Sequence, residues 1–381
     1  MINFKSKDPA FYRDEAIRSY LSAGYESNIA RQRYSGGIEK YGGNWTTNIY
    51  GSFVSAEDYQ DGSGDEVKAG LSNAEYTIES SARWSYNNSL TARFSQGFVR
   101  DADYPSLMMD MREDNTTNLT LTYLNTDLNN GRLETSIFGS YVDHTMDNLN
   151  RDMSNMVEAV TEVTTETYGY TMNYTVSSAS GNWLIGMDGT LRSMEGFRNR
   201  DFQMGPMAGT NRIDNVWQGS ERNQWGGVVE FQPNLDGLDL VFSSRLDYYF
   251  SDATDPDPYF LQNIGDLKNR ELNWSASAGI TKDLSSKWDI GFWLGRSERY
   301  PGMDELFVNF VTIGLDPYEY VGNTQLGSEI NHQADFMLNY TNEVFSIKTS
   351  LFYSYVLDYI SAEIRPDLQP KQQGVPGVKQ F

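Results

Sequence analysis

Residues 104–156 hold most of the side chains in this chain that can do metal chemistry. Met108, Met109 and Met111 sit in YPSLMMDMREDN, and His144, Met146, Met153 and Met156 in YVDHTMDNLNRDMSNM. Met194, Met204, Met207 and Met303 follow in similar polar stretches, so ten of the chain's 14 methionines lie in or beside segments that read as long loops. A thioether is a soft ligand that suits Cu(I), and an imidazole adds a borderline donor. Methionine is also a flexible filler with which loops pack on one another. No tight pair spacing defines a site, so spacing alone favours filler. A lone histidine such as His144 is more often hydrogen-bonded to a neighbour than metal-bound, and His332 carries no assigned role.

The acids invite hard cations. DYQDGSGDE groups carboxylates around glycines as calcium loops do, but EF-hand spacing is absent and a solvated turn is the simpler reading. Asp101, Asp103, Asp110, Glu113 and Asp114 form a second acidic group. Such loops would concentrate cations, or meet lipopolysaccharide through divalent ions. No Gly-x-Ser-x-Gly elbow, phosphate loop or His-Glu-x-x-His occurs, and two distant histidines give acid–base chemistry little to work with. An enzyme is not expected, nor a resident cofactor.

Composition narrows the partners. The 381 residues carry a formal net charge of -22, which disfavours nucleic acid. There is no cysteine, so disulfides, thiolate zinc and thiol catalysis are excluded. The chain is polar on average (mean hydropathy -0.56), yet it has 25 tyrosines, too aromatic for a disordered acidic chain. It has neither an apolar run long enough for a spanning helix nor a signal-type N-terminus, so any export signal is expected outside this sequence.

The positioning elements repeat with period 2. Leu119, Leu121 and Tyr123 alternate with Asn118, Thr120 and Thr122. Leu133, Ile137 and Tyr141 alternate with Glu134 and Ser140, though Phe138 breaks the pattern. Strand side chains point alternately to opposite faces, so each segment is a strand with one oily and one wet face. Strands are expected at about 18–28, 30–40, 44–54, 75–86, 89–98, 116–126, 132–143, 166–177, 182–193, 222–232, 238–250, 271–281, 287–297, 330–340 and 344–356. Many are longer than the usual 5–6 residues and match a tilted membrane crossing. Short turns (41–43, 87–88, 127–131, 178–181, 233–237, 282–286, 341–343) alternate with long loops (55–74, 99–115, 144–165, 194–221, 251–270, 298–329). The layout is an all-β, antiparallel, up-and-down transmembrane β-barrel with short periplasmic turns and long extracellular loops. A soluble propeller or sandwich would not alternate turn lengths so. Fifteen strands is an odd number, and the tail GVPGVKQF reads as a loop. Residues 1–381 are therefore expected to be one partial barrel region, without plug domain or C-terminal strands, that does not close alone.

Three stretches carry a family resemblance. RSERYPGMDELF followed by GNTQLGSEINHQADFMLNY resembles the late barrel of TonB-dependent outer-membrane receptors. Asn323, Leu326 and Glu329 hold the motif spacing, with Ser328 where proline is usual. YPSLMMDMREDNT with YVDHTMDN is similar to the copper-receptor subfamily, whose Pro-Met-Asp-Met-Arg and Asp-His-x-Met-Asp-Asn motifs they follow, Met108 replacing the proline. The Met-bearing loop SMEGFRNRDFQMGPMAGTNR and then WGGVVEFQ follow in the same order. The resemblance implies active uptake of a scarce nutrient, with copper ion as transported ligand, in a Gram-negative outer membrane. It implies lipid and lipopolysaccharide around the barrel and coupling to the TonB complex through a plug. On that basis copper handling and loop filler weigh evenly for the methionines. An iron-chelate receptor of the same type, or a passive pore or adhesin, would fit the same strands.

Overall fold

The structure is a computed structural model that describes residues 11, 16–313, 316–372 and 374–381. Fifteen long strands form one antiparallel meander: β1 (Ala16–Glu26), β2 (Arg31–Gly42), β3 (Trp45–Ala56), β4 (Leu71–Ser85), β5 (Asn88–Ala102), β6 (Asp110–Leu128), β7 (Gly131–Asp147), β8 (Val157–Ser178), β9 (Gly181–Phe202), β10 (Ser220–Pro233), β11 (Asp239–Ala253), β12 (Asn269–Asp283), β13 (Trp288–Arg299), β14 (Glu329–Thr341) and β15 (Ser346–Leu357). Each pairs with its sequence neighbours, and each expected strand is present. Among the described residues β1 and β15 have a strand partner on one side only, and every residue of β15 is exposed.

The two faces separate as the period-2 pattern requires. Leu119, Ile137, Tyr141, Tyr168 and Tyr170 are exposed on one face. On the other, polar side chains bond across strands. Thr122 and Ser136 hydroxyls lie 2.8 Å apart, and Arg245 donates to Asp188 at 2.7 and 2.9 Å. The short turns use matching chemistry. Asn129 and Asn130 both take positive φ (51° and 64°), the requirement of a two-residue turn that follows the strand twist.

Several strands outrun their expected ends. β8 and β9 have 22 residues each, about twice the length of a tilted membrane crossing. The loops at 99–115, 144–165 and 194–221 shrink accordingly to 103–109, 148–156 and 203–219, the last holding a short strand, Asn211–Asn215, that pairs with β9. Along AVTEVTTET the pairing continues while the oily-wet alternation fades.

Buried apolar residues gather in a cap at the long-loop end rather than within the sheet. One cluster holds Ala253, Tyr300, Met303, Leu306 and Phe307, and a second holds Phe260, Phe310, Val321, Leu368 and Val378. Two short helices contribute. In α1 (Pro258–Ile264) the Asp257 carboxylate accepts the Tyr259 N–H at 2.9 Å. In α2 (Met303–Phe307) Glu305 accepts the Gly302 N–H at 2.5 Å. The tail read as a loop forms a strand instead. Val378–Gln380 pairs in parallel with Glu319–Val321, and Val378 is fully buried. Three residues are too few to show a period, and one of their two partner strands lies nearly sixty positions away.

Candidate metal centre

β6 and β7 bring together the side chains that matter most. Their ladder slips between Met111 and Glu113, leaving Arg112 as an extra residue. Without the slip, Met111 would lie with Leu119 on the apolar face. The bulge turns it to the polar face, opposite Met146. Met146 in turn pairs with Thr161 of β8, so the three form one row. The Thr161 hydroxyl lies 3.8 Å from the Met109 Sδ, and the Tyr104 hydroxyl 3.9 Å from the Met111 Sδ. Met111 and Met146 therefore face each other and Met109 reaches their row at Thr161, all three half-buried.

His144 joins them, two residues along β7 from Met146 on the same face. Its Nδ1 is 3.3 Å from the carboxylate of Asp114, its partner across the ladder. A carboxylate only accepts, so Nδ1 carries the hydrogen and the Nε2 lone pair is left for a ligand. Thr116 donates to the other Asp114 oxygen at 2.8 Å. One imidazole and three thioethers make a soft donor set.

Ion pairs on two buried carboxylates hold the loops around this quartet. Asp110 accepts the Tyr104 N–H at 2.9 Å and the Arg151 guanidinium through Nε at 2.8 Å. Arg151 also donates to the Tyr104 carbonyl at 2.8 Å, and Arg112 bonds Asp147 at 2.9 Å. Asn148 bridges to β8, donating to the Val157 carbonyl and accepting the Ala159 N–H. Asp103, next to this frame, has its carboxyl pushed up by burial and then by the Asp110 and Asp58 charges.

The remaining expected residues divide. Met108, Met153, Met156 and Met204 are exposed on the loop rim, with Met207 half-buried beside them. Gln203 donates its N–H to the Met156 carbonyl at 2.9 Å, so the 148–156 and 203–219 loops touch. Met303 is 3% exposed inside the first apolar cluster, and Met194 packs against that cluster. Both thioethers serve as packing there, away from the quartet. DYQDGSGDE is a self-satisfied turn: Asp61 accepts the N–H of Ser63 and Asp65, and Asp58 pairs with Lys68 at 2.5 Å. The Lys68 bond holds Asp58 below its ordinary range despite partial burial. Among the described residues no group of three His, Asp or Glu is arranged for a metal.

Sequence reasoning missed Asp114 as a partner of His144, and Thr161 and Tyr104 as neighbours of the sulfurs. An acid facing a histidine across a strand pair leaves no local spacing signal. Of the late-barrel motif, Glu329 is ion-paired to Arg299 at 2.6 Å, Arg299 also binds Glu305 at 2.8 Å, and Asn323 donates to the Phe381 carbonyl at 3.0 Å. The motif residues thus tie α2 and the tail to the sheet.

A meander of long two-faced strands, with short turns at one end and a capped loop end, defines the wall of a β-barrel receptor. The chain belongs to the TonB dependent receptor-like β-barrel family, which matches residues 8–373. That family comprises outer-membrane receptors and transporters. Among solved structures, the copper transporter OprC superposes with a TM-score of 0.80 at 17% identity, over 94% of this chain and 56% of that one. The hemophore receptor HasR of Serratia marcescens gives 0.70 at 14%, over 96% and 58%. The FrpB iron transporter of Neisseria meningitidis gives 0.67 at 14%, over 93% and 56%. The chain thus spans a little over half the length of these structures. No curated protein sequence matches it.

Proposed function

We propose that this chain is the barrel wall of an outer-membrane receptor that takes up copper, energised by the TonB complex and surrounded by lipid and lipopolysaccharide. The observation that supports the reading is that Met111, Met146 and His144 share the polar face at the loop end, with the Met109 sulfur 3.8 Å from the Thr161 hydroxyl in the same row. In a barrel that face is the lumen wall, and the loop end is where cargo arrives. Thioethers bind Cu(I) without needing to lose a proton, and the acidic rim raises the local cation concentration. The exposed rim methionines give cargo a first contact. Residues 1–381 then act as one barrel region.

The test is Cu(I) titration of the full-length receptor under anaerobic conditions, against Met109→Leu, Met111→Leu, Met146→Leu and His144→Leu. Leucine keeps the volume and removes the donor. Loss of tight binding in each supports the quartet, and unchanged binding in all four removes it. A receptor for an iron chelate is the second reading, since iron and heme receptors share this fold. It expects no effect of the methionine changes on uptake of any metal.

A further inference from the structure

A second site lies deeper on the same wall. The β9–β10 register sets Arg192 directly opposite Arg222, both on the polar face. Like charges opposite each other across a ladder destabilise a sheet. Among the described residues no carboxylate bonds either guanidinium, and Asp304 acts on Arg222 only from a distance. Arg192 donates to the Thr167 hydroxyl at 3.2 Å, and Arg222 to the Pro301 carbonyl at 3.1 Å. The two line a cavity of about 480 Å³ with Thr190, Gln224, Tyr249 and Tyr300. Its walls also include Glu298 and Arg299, but both are already committed. Glu298 is held by Arg296 at 2.5 Å and by the Trp274 N–H, and Arg299 by Glu305 and Glu329. The free charge in the cavity is therefore positive, in a chain of net charge -22.

We propose that Arg192 and Arg222 form a binding site for a small polycarboxylate-class anion. Cargo would pass it as an anionic chelate rather than as a bare cation. The paired guanidiniums decide the class, since each offers a fork of donors that matches a carboxylate, and the cavity has room for more than one. Position supports the passage. The Arg192–Thr167 pair lies six residues along the strands from the Arg198–Thr161 pair, the row that holds Met146. At about 3.3 Å per residue the two stations are about 20 Å apart. Paired guanidiniums on the lumen wall would repel an uncomplexed copper ion and hold a carboxylate-wrapped one. The passage rests on the copper reading, whereas the anion site itself does not.

The experiment is calorimetric titration of the full-length receptor in detergent with tricarballylate, a tricarboxylate that chelates metals poorly, and with inorganic phosphate. Tricarballylate is expected to bind more tightly than phosphate, with affinity falling as salt rises. Arg192→Gln and Arg222→Gln should each weaken it at least tenfold, and Arg222→Lys should recover part of the loss. Because the glutamines relieve a like-charge contact, melting temperatures should hold or rise. No tricarballylate binding, or binding indifferent to both glutamines, overturns the site. Equal binding of phosphate overturns the chelate-sized ligand. Cu(I) titration of the same samples separates the two ideas. Tricarballylate binding without Cu(I) binding sinks the copper reading and leaves the anion site standing, and the reverse result does the opposite.

Discussion

Removing the Asp114 carboxylate is the sharpest probe of the quartet, because Asp114 touches no sulfur and reaches the metal only through His144. In Asp114→Ala the Nδ1–H loses its acceptor, and the imidazole becomes free to rotate and to place its hydrogen on either nitrogen. The bond is 3.3 Å long, and the two side chains are 23% and 20% exposed. A hydrogen bond to a charged group contributes about 1.5–3 kcal/mol, and this length and exposure place it at the bottom of that range. About 1.4 kcal/mol is a factor of ten in affinity, within the ~10–100-fold seen when an outer partner of a metal-binding histidine is removed. The prediction is a tenfold weaker Cu(I) affinity, measured by competition with a chromophoric Cu(I) chelator. Asp114→Asn can still accept from Nδ1 in one amide orientation and should lose less. The double variant Asp114→Ala with His144→Leu should bind no more weakly than His144→Leu alone. An Asp114→Ala protein with unaltered affinity, while His144→Leu is impaired, would refute the positioning argument.

Met303→Ala should destabilise the cap by about 2–5 kcal/mol through a core cavity. Amide exchange in α2 would show this, while Cu(I) affinity stays unchanged. Asp214 meets Arg198 at 3.3 Å, Arg200 at 2.6 Å and Lys371 at 3.4 Å. Burial works to raise its carboxyl, yet these three cations hold it below the ordinary aspartate value of 3.8. Its stabilisation is therefore complete above that value and lost as pH falls through the lowered one. Asp214→Asn should cost about 3–5 kcal/mol at neutral pH, read as earlier proteolytic release of residues 359–381. Asn130→Val puts a β-branched residue at φ 64°, costing about 1–2 kcal/mol. It should lower the yield of detergent-folded, heat-modifiable full-length receptor, whereas Asn130→Gly should not.

Much of the wall was legible because a strand in lipid must present one apolar side, and that demand writes a period of two wherever the chain crosses. All fifteen strands appear where the alternation placed them. It failed where the demand lapses. Along the upper halves of β8 and β9 the alternation fades, so residues 157–165 and 194–202 read as loop although their pairing continues. The three-residue strand at Val378–Gln380 is too short for any period.

The methionines show the same division. Their number, their softness and their place at one end of the barrel came from the sequence alone. Which of them meet was decided by register and packing. One extra residue at Arg112 turns Met111 to the face of Met146, whereas closure of the cap around α2 takes Met303 out of reach. Arg192 and Arg222 are unremarked strand arginines until the β9–β10 ladder sets them opposite each other. A strand's pattern records which medium each face meets, and that is local. Which side chain lies across the ladder depends on a partner strand's register, and a slip of one residue reverses the answer.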